Sequence, residues 1–204
     1  MPFLVIDLEM TGTEPGWHEI IQLGAVLYDD NWEEKGRYLT NIYPENEESF
    51  SQSAQQVHGL TLDELDDAPM IYDVLPAFEN WVMEQLGFRN VNLLDKSPYL
   101  RTTIVCGQSV INDINFLKFA YREEKMKYPF SNVLLDLHTL SYFVFDVLKQ
   151  NGRKTPRSLS LKAIAEHFGF EREGDTHNAL EDAVLTGMCI KEVMKLGKRL
   201  KLTE

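Results

Sequence analysis

Apolar positions in the first third of the chain come in short, nearly continuous runs. Phe3–Leu8 ("FLVIDL"), Ile20–Tyr28 ("IIQLGAVLY") and Arg37–Tyr43 ("RYLTNIY") read as three strands, and the short connections predict an antiparallel meander. A helical region follows. "TLDEL" at 61–65 carries a capping box, Thr61 with Glu64. Residues 71–87 place Val74, Leu75, Phe78, Val82 and Leu86 at helical spacing. Residues 88–102 read as a long irregular loop. The rhythm then changes. "TTIVCG" at 102–107 reads as a buried strand, followed by a helix from Val110 to Glu124. "VLLDL" at 133–137 reads as another buried strand, with a helix from Thr139 to Lys149 and a polar linker over 150–157. "SLSLKAIAEHFG" predicts a helix with a Ser cap and Gly169 as its stop, and a last helix runs from Asn178 into the tail. Three antiparallel strands, then strands alternating with helices, predict an α/β fold: a mixed five-stranded sheet covered by helices on both faces. With no internal repeat and no interdomain linker, residues 1–204 read as a single domain.

Composition narrows the classes. A chain of 204 residues with 44% hydrophobic content can fill one core. Aromatics at 11% and the lack of low-complexity segments exclude wholesale disorder. A net charge of -12 excludes a non-specific duplex binder. Acids cluster at Asp29-Asp30 with Glu33-Glu34, from Glu45 to Glu48 and from Asp63 to Asp67. The only notable basic run is Lys195 to Lys201, read as a solvated helix end. An acidic protein can still act on nucleic acid where cations meet the phosphates. Cys106 and Cys189 read as buried free thiols in a reducing compartment. The first apolar run is cut by Asp7 and Glu9, so no signal peptide is read, and no stretch approaches a membrane span. The expectation is a cytoplasmic chain away from membranes.

The candidate chemistry begins in "VIDLEMTG" at 5–12. Residues i and i+2 of a strand share a face, so Asp7 and Glu9 project together while Leu8 turns into the core. Two adjacent carboxylates repel unless a cation lies between them. The pair therefore points to Mg²⁺ or Mn²⁺, with further ligands elsewhere in the chain. "GQSVINDINFL" at 107–117 puts Asp113 in the first turn or so of a helix at the sheet edge, a position the helix dipole favours on its own. In "GDTHNALEDAVLTG" at 174–187, His177 and Asp182 are five apart. Five residues of helix turn through roughly 140° from a common face, at about 100° per residue. His177 is therefore placed in the loop or at the cap, with Asp182 inside the helix. Ala179, Ala183 and Gly187 form a small stripe that lets this helix pack closely on the sheet and bring Asp182 to the strand of Asp7. Trp17, before the second strand, is either a base-stacking residue or a cap on the sheet. Trp32 and Trp81 read as packing.

Singly, each of these features has an ordinary structural reading. Jointly, Asp7 and Glu9 in "DLEMTG", Asp113 in "GQSVINDINFL", and His177 and Asp182 in "HNALEDA" form an ordered set. The set resembles the DEDDh superfamily of 3′→5′ exonucleases, which includes polymerase proofreading subunits, oligoribonuclease and RNase T. "IIQLGAV", "QQVHGLT" and "SLKAIAEHFG" resemble it too, so the likeness runs from about residue 3 to 190. Some positions depart from the group: Gln108-Ser109 stands where many members have His-Asn, and Asn112 where many have Phe. "DLEMTG" looks more like oligoribonuclease, "QQVHGLT" more like the proofreading branch.

The resemblance implies an RNase H-like sheet and a two-metal exonuclease that acts at the 3′ end of single-stranded DNA or RNA. Two cations flanking the scissile phosphate can stabilise both the attacking and the leaving oxygen. By resemblance, Asp7 bridges both ions, Glu9 and Asp182 complete one site, and Asp113 supports the other partly through water. His177 serves as general base, since an unperturbed imidazole titrates at roughly 6.5. The chain turns beside Gly12, so the backbone amides of Met10 and Thr11 are candidates for holding the 3′-hydroxyl and phosphate, with Met10 against the base. By resemblance, His58, Gln108 and Asn112 line the cleft near sugar and phosphate. An oligoribonuclease-like action on very short substrates is the alternative; an inactive module bound to a polymerase is disfavoured by the presence of all five side chains. Some members dimerise and others join a polymerase, so both partners stay open.

Overall fold

The computed structural model describes residues 1–89, 95–171 and 178–200. Strand β1 (Phe3–Met10) is the axis of a five-stranded sheet. It pairs antiparallel with β2 (Ile20–Tyr28), and β2 pairs antiparallel with β3 (Glu34–Asn41). On its other side β1 runs parallel to β4 (Ile104–Gly107), which runs parallel to β5 (Leu134–Asp136). The order is β3-β2-β1-β4-β5, the mixed sheet expected from the change of rhythm. The helices are α1 (Gln52–His58), α2 (Leu62–Leu65), α3 (Ile71–Gln85), α4 (Ser97–Leu100), α5 (Ile111–Glu123), α6 (Leu137–Gln150), α7 (Leu161–Phe168) and α8 (Ala179–Lys198).

The two-residue period of the strands sorts their side chains into two cores. Leu4, Ile6 and Leu8 of β1 meet α3 and α5 through Val74, Phe78, Ile114 and Leu117. Phe3 and Val5 of β1 meet α6, α7 and α8 through Phe145, Ile164, Ala183 and Cys189. Every residue of β2 is buried, which is why it reads as an almost unbroken apolar run. Asp7 and Glu9 continue the row begun by Phe3 and Val5. The acids thus fall on the face that α8 covers.

Close approach of α8 depends on small residues. A Cβ on Gly24 would lie 2.2 Å from the carbonyl carbon of Ala179 and 2.3 Å from the amide nitrogen of Leu180. One at Gly187 would lie 2.6 Å from the Tyr28 ring. Ala179 and Ala183 are fully buried in the same contact, as their spacing predicts. Asn178 caps the helix, its side chain accepting from the amides of Leu180 and Glu181.

Boundaries differ where polar residues masked the pattern. β3 runs over Glu34–Asn41 rather than 37–43. The Tyr43 amide has left the sheet for the carbonyl of Pro69. The segment 51–59 forms α1, capped by Ser51 and stopped by Gly59 in the left-handed region, with too few apolar residues to announce itself. The stretch 88–102 contains the short α4, and residues 90–94 lie outside the described part. β4 and β5 are shorter than "TTIVCG" and "VLLDL" suggest, because Thr103 caps a turn and Leu137 already begins α6. The Thr61–Glu64 capping box forms as expected. Both cysteines are free and buried, and burial pushes their thiols up. Trp32 stacks on Phe3 and Trp81 on Phe78, both as packing residues. Among the described residues no helix is long and apolar enough to cross a membrane.

Gly24→Ala is expected to destabilise the fold by about 1–3 kcal/mol or more, since backbone rather than a flexible side chain occupies the space. A lowered thermal midpoint in calorimetry checks this; an unchanged midpoint would mean that α8 has room to retreat.

Candidate active site

Asp7 lies opposite Gly24 and Glu9 opposite Gln22 in the β1–β2 ladder. The register slips between Glu9 and Met10, so that Met10 pairs with Ile20. A bulge at this point turns the strand end, as bulges beside active sites commonly do. Asp182 sits in the first turn of α8. Carboxylate oxygens of Asp7, Glu9 and Asp182 all lie within 4.8 Å of one another. Glu9 and Asp182 are buried and Asp7 is half-buried. An all-oxygen, all-anionic set suits a hard divalent cation far better than it suits solvent.

Asp113 reaches the same corner from the opposite layer. It is buried at the start of α5 and accepts a hydrogen bond from the Leu8 amide, 3.1 Å from Oδ1. Burial pushes its carboxyl up to about 7, and the charges of Glu9 and Asp136 add to the shift. The fourth acid is therefore beside Glu9 but outside the three-oxygen group. His177, expected next to this cluster, lies outside the described residues. It directly precedes Asn178, the residue that takes the cap position.

Two supporting residues were not singled out from the sequence. Gln22 is buried on β2, donates to Asn41 Oδ1 at 2.7 Å and accepts from the Ala179 amide at 2.9 Å. It ties the first turn of α8 to the strand facing Glu9. Its signal was a lone amide inside an apolar strand. Asp136, at the end of β5, accepts from the Val110 amide at 3.0 Å and from the amide and hydroxyl of Thr139 at 2.8 Å. It fastens the start of α5, and so Asp113, to the sheet. Its signal was a second acid ending a buried strand. Between them Ser109 holds φ +55, a left-handed conformation that costs a non-glycine residue about 1–2 kcal/mol.

The expected substrate-binding residues divide. Thr11 requires correction. Its amide donates to the Glu19 carbonyl at 2.9 Å, so that donor is used within the protein. The Thr11 hydroxyl lies 3.0 Å from Ser49 Oγ and accepts from the Glu19 amide, and the residue is fully buried. Thr11 therefore braces the loop instead of facing a ligand. Met10 is half-buried against the first core. His58 is buried at the end of α1, where Nδ1 accepts from the Leu60 amide at 3.0 Å. That bond puts its proton on Nε2. Gln108 follows β4 and donates from Nε2 to the Leu159 carbonyl at 2.9 Å. Asn112 is exposed on the first turn of α5. Trp17 is 52% exposed, so it does not cap the sheet.

Residues 4–187 match the RNase T exonuclease family, and the chain belongs to it and, through it, to the DEDDh 3′→5′ exonucleases, hydrolases of phosphodiester bonds. It is 31% identical over 193 residues to the DNA polymerase III subunit epsilon of Aquifex aeolicus, a match covering 95% of this chain and 80% of that protein. It is 27% identical over 202 residues to the PolC-type DNA polymerase III of Thermotoga petrophila, covering 99% of this chain but 12% of that protein. Among solved structures, the nuclease domain of 3′hExo, a DEDDh family member bound to rAMP, superposes with a TM-score of 0.71 at 22% identity, covering 100% of this chain and 96% of that one. E. coli Exonuclease I in complex with a dT13 oligonucleotide gives a TM-score of 0.76 at 18% identity, covering 97% and 42%. At such identities the structural likeness carries the RNase H-like fold alone.

Asp113 makes a pH prediction. An acid raised on folding holds a proton in the native state that the unfolded chain has lost, so stability falls as pH rises. The loss runs from about pH 4, where the unfolded acid titrates, to about 7, and is complete above. Asp113→Asn keeps an oxygen for the Leu8 amide and removes the titration. In chelator the variant is expected to melt above the parent at alkaline pH, with the gap closing under acid conditions. A constant gap across pH would contradict the assignment.

Proposed function

We propose that this exonuclease removes nucleotides one at a time from the 3′ end of single-stranded nucleic acid and releases nucleoside 5′-monophosphates. Asp7, Glu9, Asp182 and Asp113 would hold two divalent cations, Mg²⁺ or Mn²⁺. The observation that carries this reading is the approach of three carboxylates to within 4.8 Å, with a fourth buried beside Glu9. When bound, such cations oppose the negative charge that grows on the phosphoryl and leaving oxygens.

The chain's own residues supply position and proton transfer. Asp7, the half-buried member, is the one nearest solvent and so nearest an arriving phosphate. His177 takes the proton of the attacking water. In the sequence it immediately precedes Asn178, the cap of the helix that carries Asp182. Met10, His58, Gln108 and Asn112 would grip the terminal nucleotide, and Thr11 would stiffen the loop behind them. A net charge of -12 favours single strands over long duplexes. The dT13 complex of Exonuclease I supports the same substrate class.

A 5′-labelled single strand, as DNA and as RNA, with Mn²⁺ or Mg²⁺ tests this. A ladder shortening from the 3′ end is expected, abolished by chelator. Asp7→Asn and Asp182→Asn are each expected to cost at least about 10³-fold in rate, and His177→Ala about 10²–10⁴-fold. Activity that survives chelator or Asp7→Asn would overturn the reading. Cleavage confined to dinucleotides would assign the oligoribonuclease-like alternative instead.

A further inference from the structure

Outside the acidic site, the charge of this chain is distributed unevenly. Residues 147–165 contain Lys149, Arg153, Lys154, Arg157 and Lys162 and no Asp or Glu. It is the longest acid-free stretch in a chain with 32 acids and 20 Lys and Arg. A quarter of those cations fall within it. By sequence alone 150–157 ("QNGRKTPR") reads as a polar linker.

In the structure this stretch of 147–165 is a continuous, largely unburied run. It comprises the last turn of α6, the connection to α7 and the first turn of α7. All five cations are exposed, and none makes an ion pair with a described residue. Elsewhere Lys35, Arg37, Lys96 and Lys195 pair with carboxylates, while Arg101, Lys125 and Lys127 make no ion pair with a described residue but stand among acids in the sequence. The stretch is also fastened to the active-site wall. The Leu159 carbonyl accepts from Gln108 at 2.9 Å. Gln108 follows Gly107, the residue paired with Asp136, and Asp136 in turn holds the Val110 amide at the start of the Asp113 helix. Beyond the connection, α7 packs on α8, the helix of Asp182, through Leu161, Ile164 and Ala165.

We propose that Lys149, Arg153, Lys154, Arg157 and Lys162 form a track for the phosphodiester backbone of a single strand whose 3′ end lies at the carboxylates. The inference rests on the exonuclease reading and adds to it the path of the upstream nucleotides. The chain as a whole carries a net charge of -12, which repels a phosphate at long range. Five exposed cations that form no ion pair with a described residue would attract phosphates and draw the strand to one side of the cleft. Each cation that neutralises a phosphate releases condensed counterions, and that release gives a salt-dependent signature. Short substrates would not reach the track, so it would matter for length and not for chemistry.

The test compares the full chain with its Arg153→Ala/Lys154→Ala/Arg157→Ala variant. Binding of a 5′-fluorescent oligodeoxythymidylate of about 15 nucleotides is read by anisotropy in chelator, where no turnover intervenes. The variant is expected to bind roughly tenfold more weakly at moderate salt. Its slope of log K against log salt is expected to be shallower by about 2, from three cations at about 0.7 each on a single strand. With Mn²⁺ present, dinucleotide hydrolysis should be unchanged and KM on the long strand raised. Equal affinity and equal salt slope in the two proteins would overturn the track. Parent protein that binds with the steep slope yet hydrolyses neither substrate would leave the track standing and fault the exonuclease reading. Variant protein with reduced dinucleotide turnover as well would show that the stretch shapes the site itself, and the track would fall.

Discussion

The whole arrangement depends on how close the backbone of α8 comes to β2. Helices usually stand about 8–10 Å from what they pack on, with side chains filling the gap. Here the first turn of α8 touches the sheet at Gly24, where even a methyl group would collide with Ala179. Gly24 faces Asp7 across the ladder, so the contact and the acids are neighbours by register. Gln22, two residues away on the same face, binds the Ala179 amide and fixes the helix along the strand. At an ordinary packing distance Asp182 would stand clear of Asp7 and Glu9, and there would be no shared site.

This closeness has an electrostatic consequence. Packing holds together carboxylates that repel one another, and burial adds to the cost of charging Asp113. The energy comes from the two cores, in which residues such as Phe78, Val82, Ile164 and Cys189 are wholly shielded from water. A cation that binds the folded chain alone would return part of that cost by mass action. Such a cation would relieve part of the cost of bringing these acids together. The strained backbone at Ser109, between Gly107 and the Asp113 helix, lies in the same corner.

Much of this was legible in the sequence because burial leaves a periodic trace. The β1 and β2 runs, the helical spacing of α3, the Ala179–Ala183–Gly187 stripe and the ordered acids each state a face or a distance. What stayed hidden lacked such a trace. The α1 helix is polar and short, and its cap and stop say more than its body. Thr11 looked like a ligand donor because it closely follows the paired acids of β1; only the fold reveals that Glu19 comes back to take its amide. Asp136 and Gln22 act through bonds to residues 26 and 157 positions away, which no local pattern records. The basic stretch was obscured by turn residues, since charge on a surface has no period to betray it.

The spread of the acids along the chain also bears on synthesis. Asp7 and Asp182 are 175 positions apart, and α8 supplies the last carboxylate and, with α6 and α7, the cover for one face of the sheet. A chain emerging from the ribosome holds Asp7, Glu9 and Asp113 long before α8 exists. Domains fold as units once their parts are present. The three-carboxylate group therefore forms only once α8 has been made, and a chain cut short before α8 would lack both Asp182 and part of the cover of this sheet face.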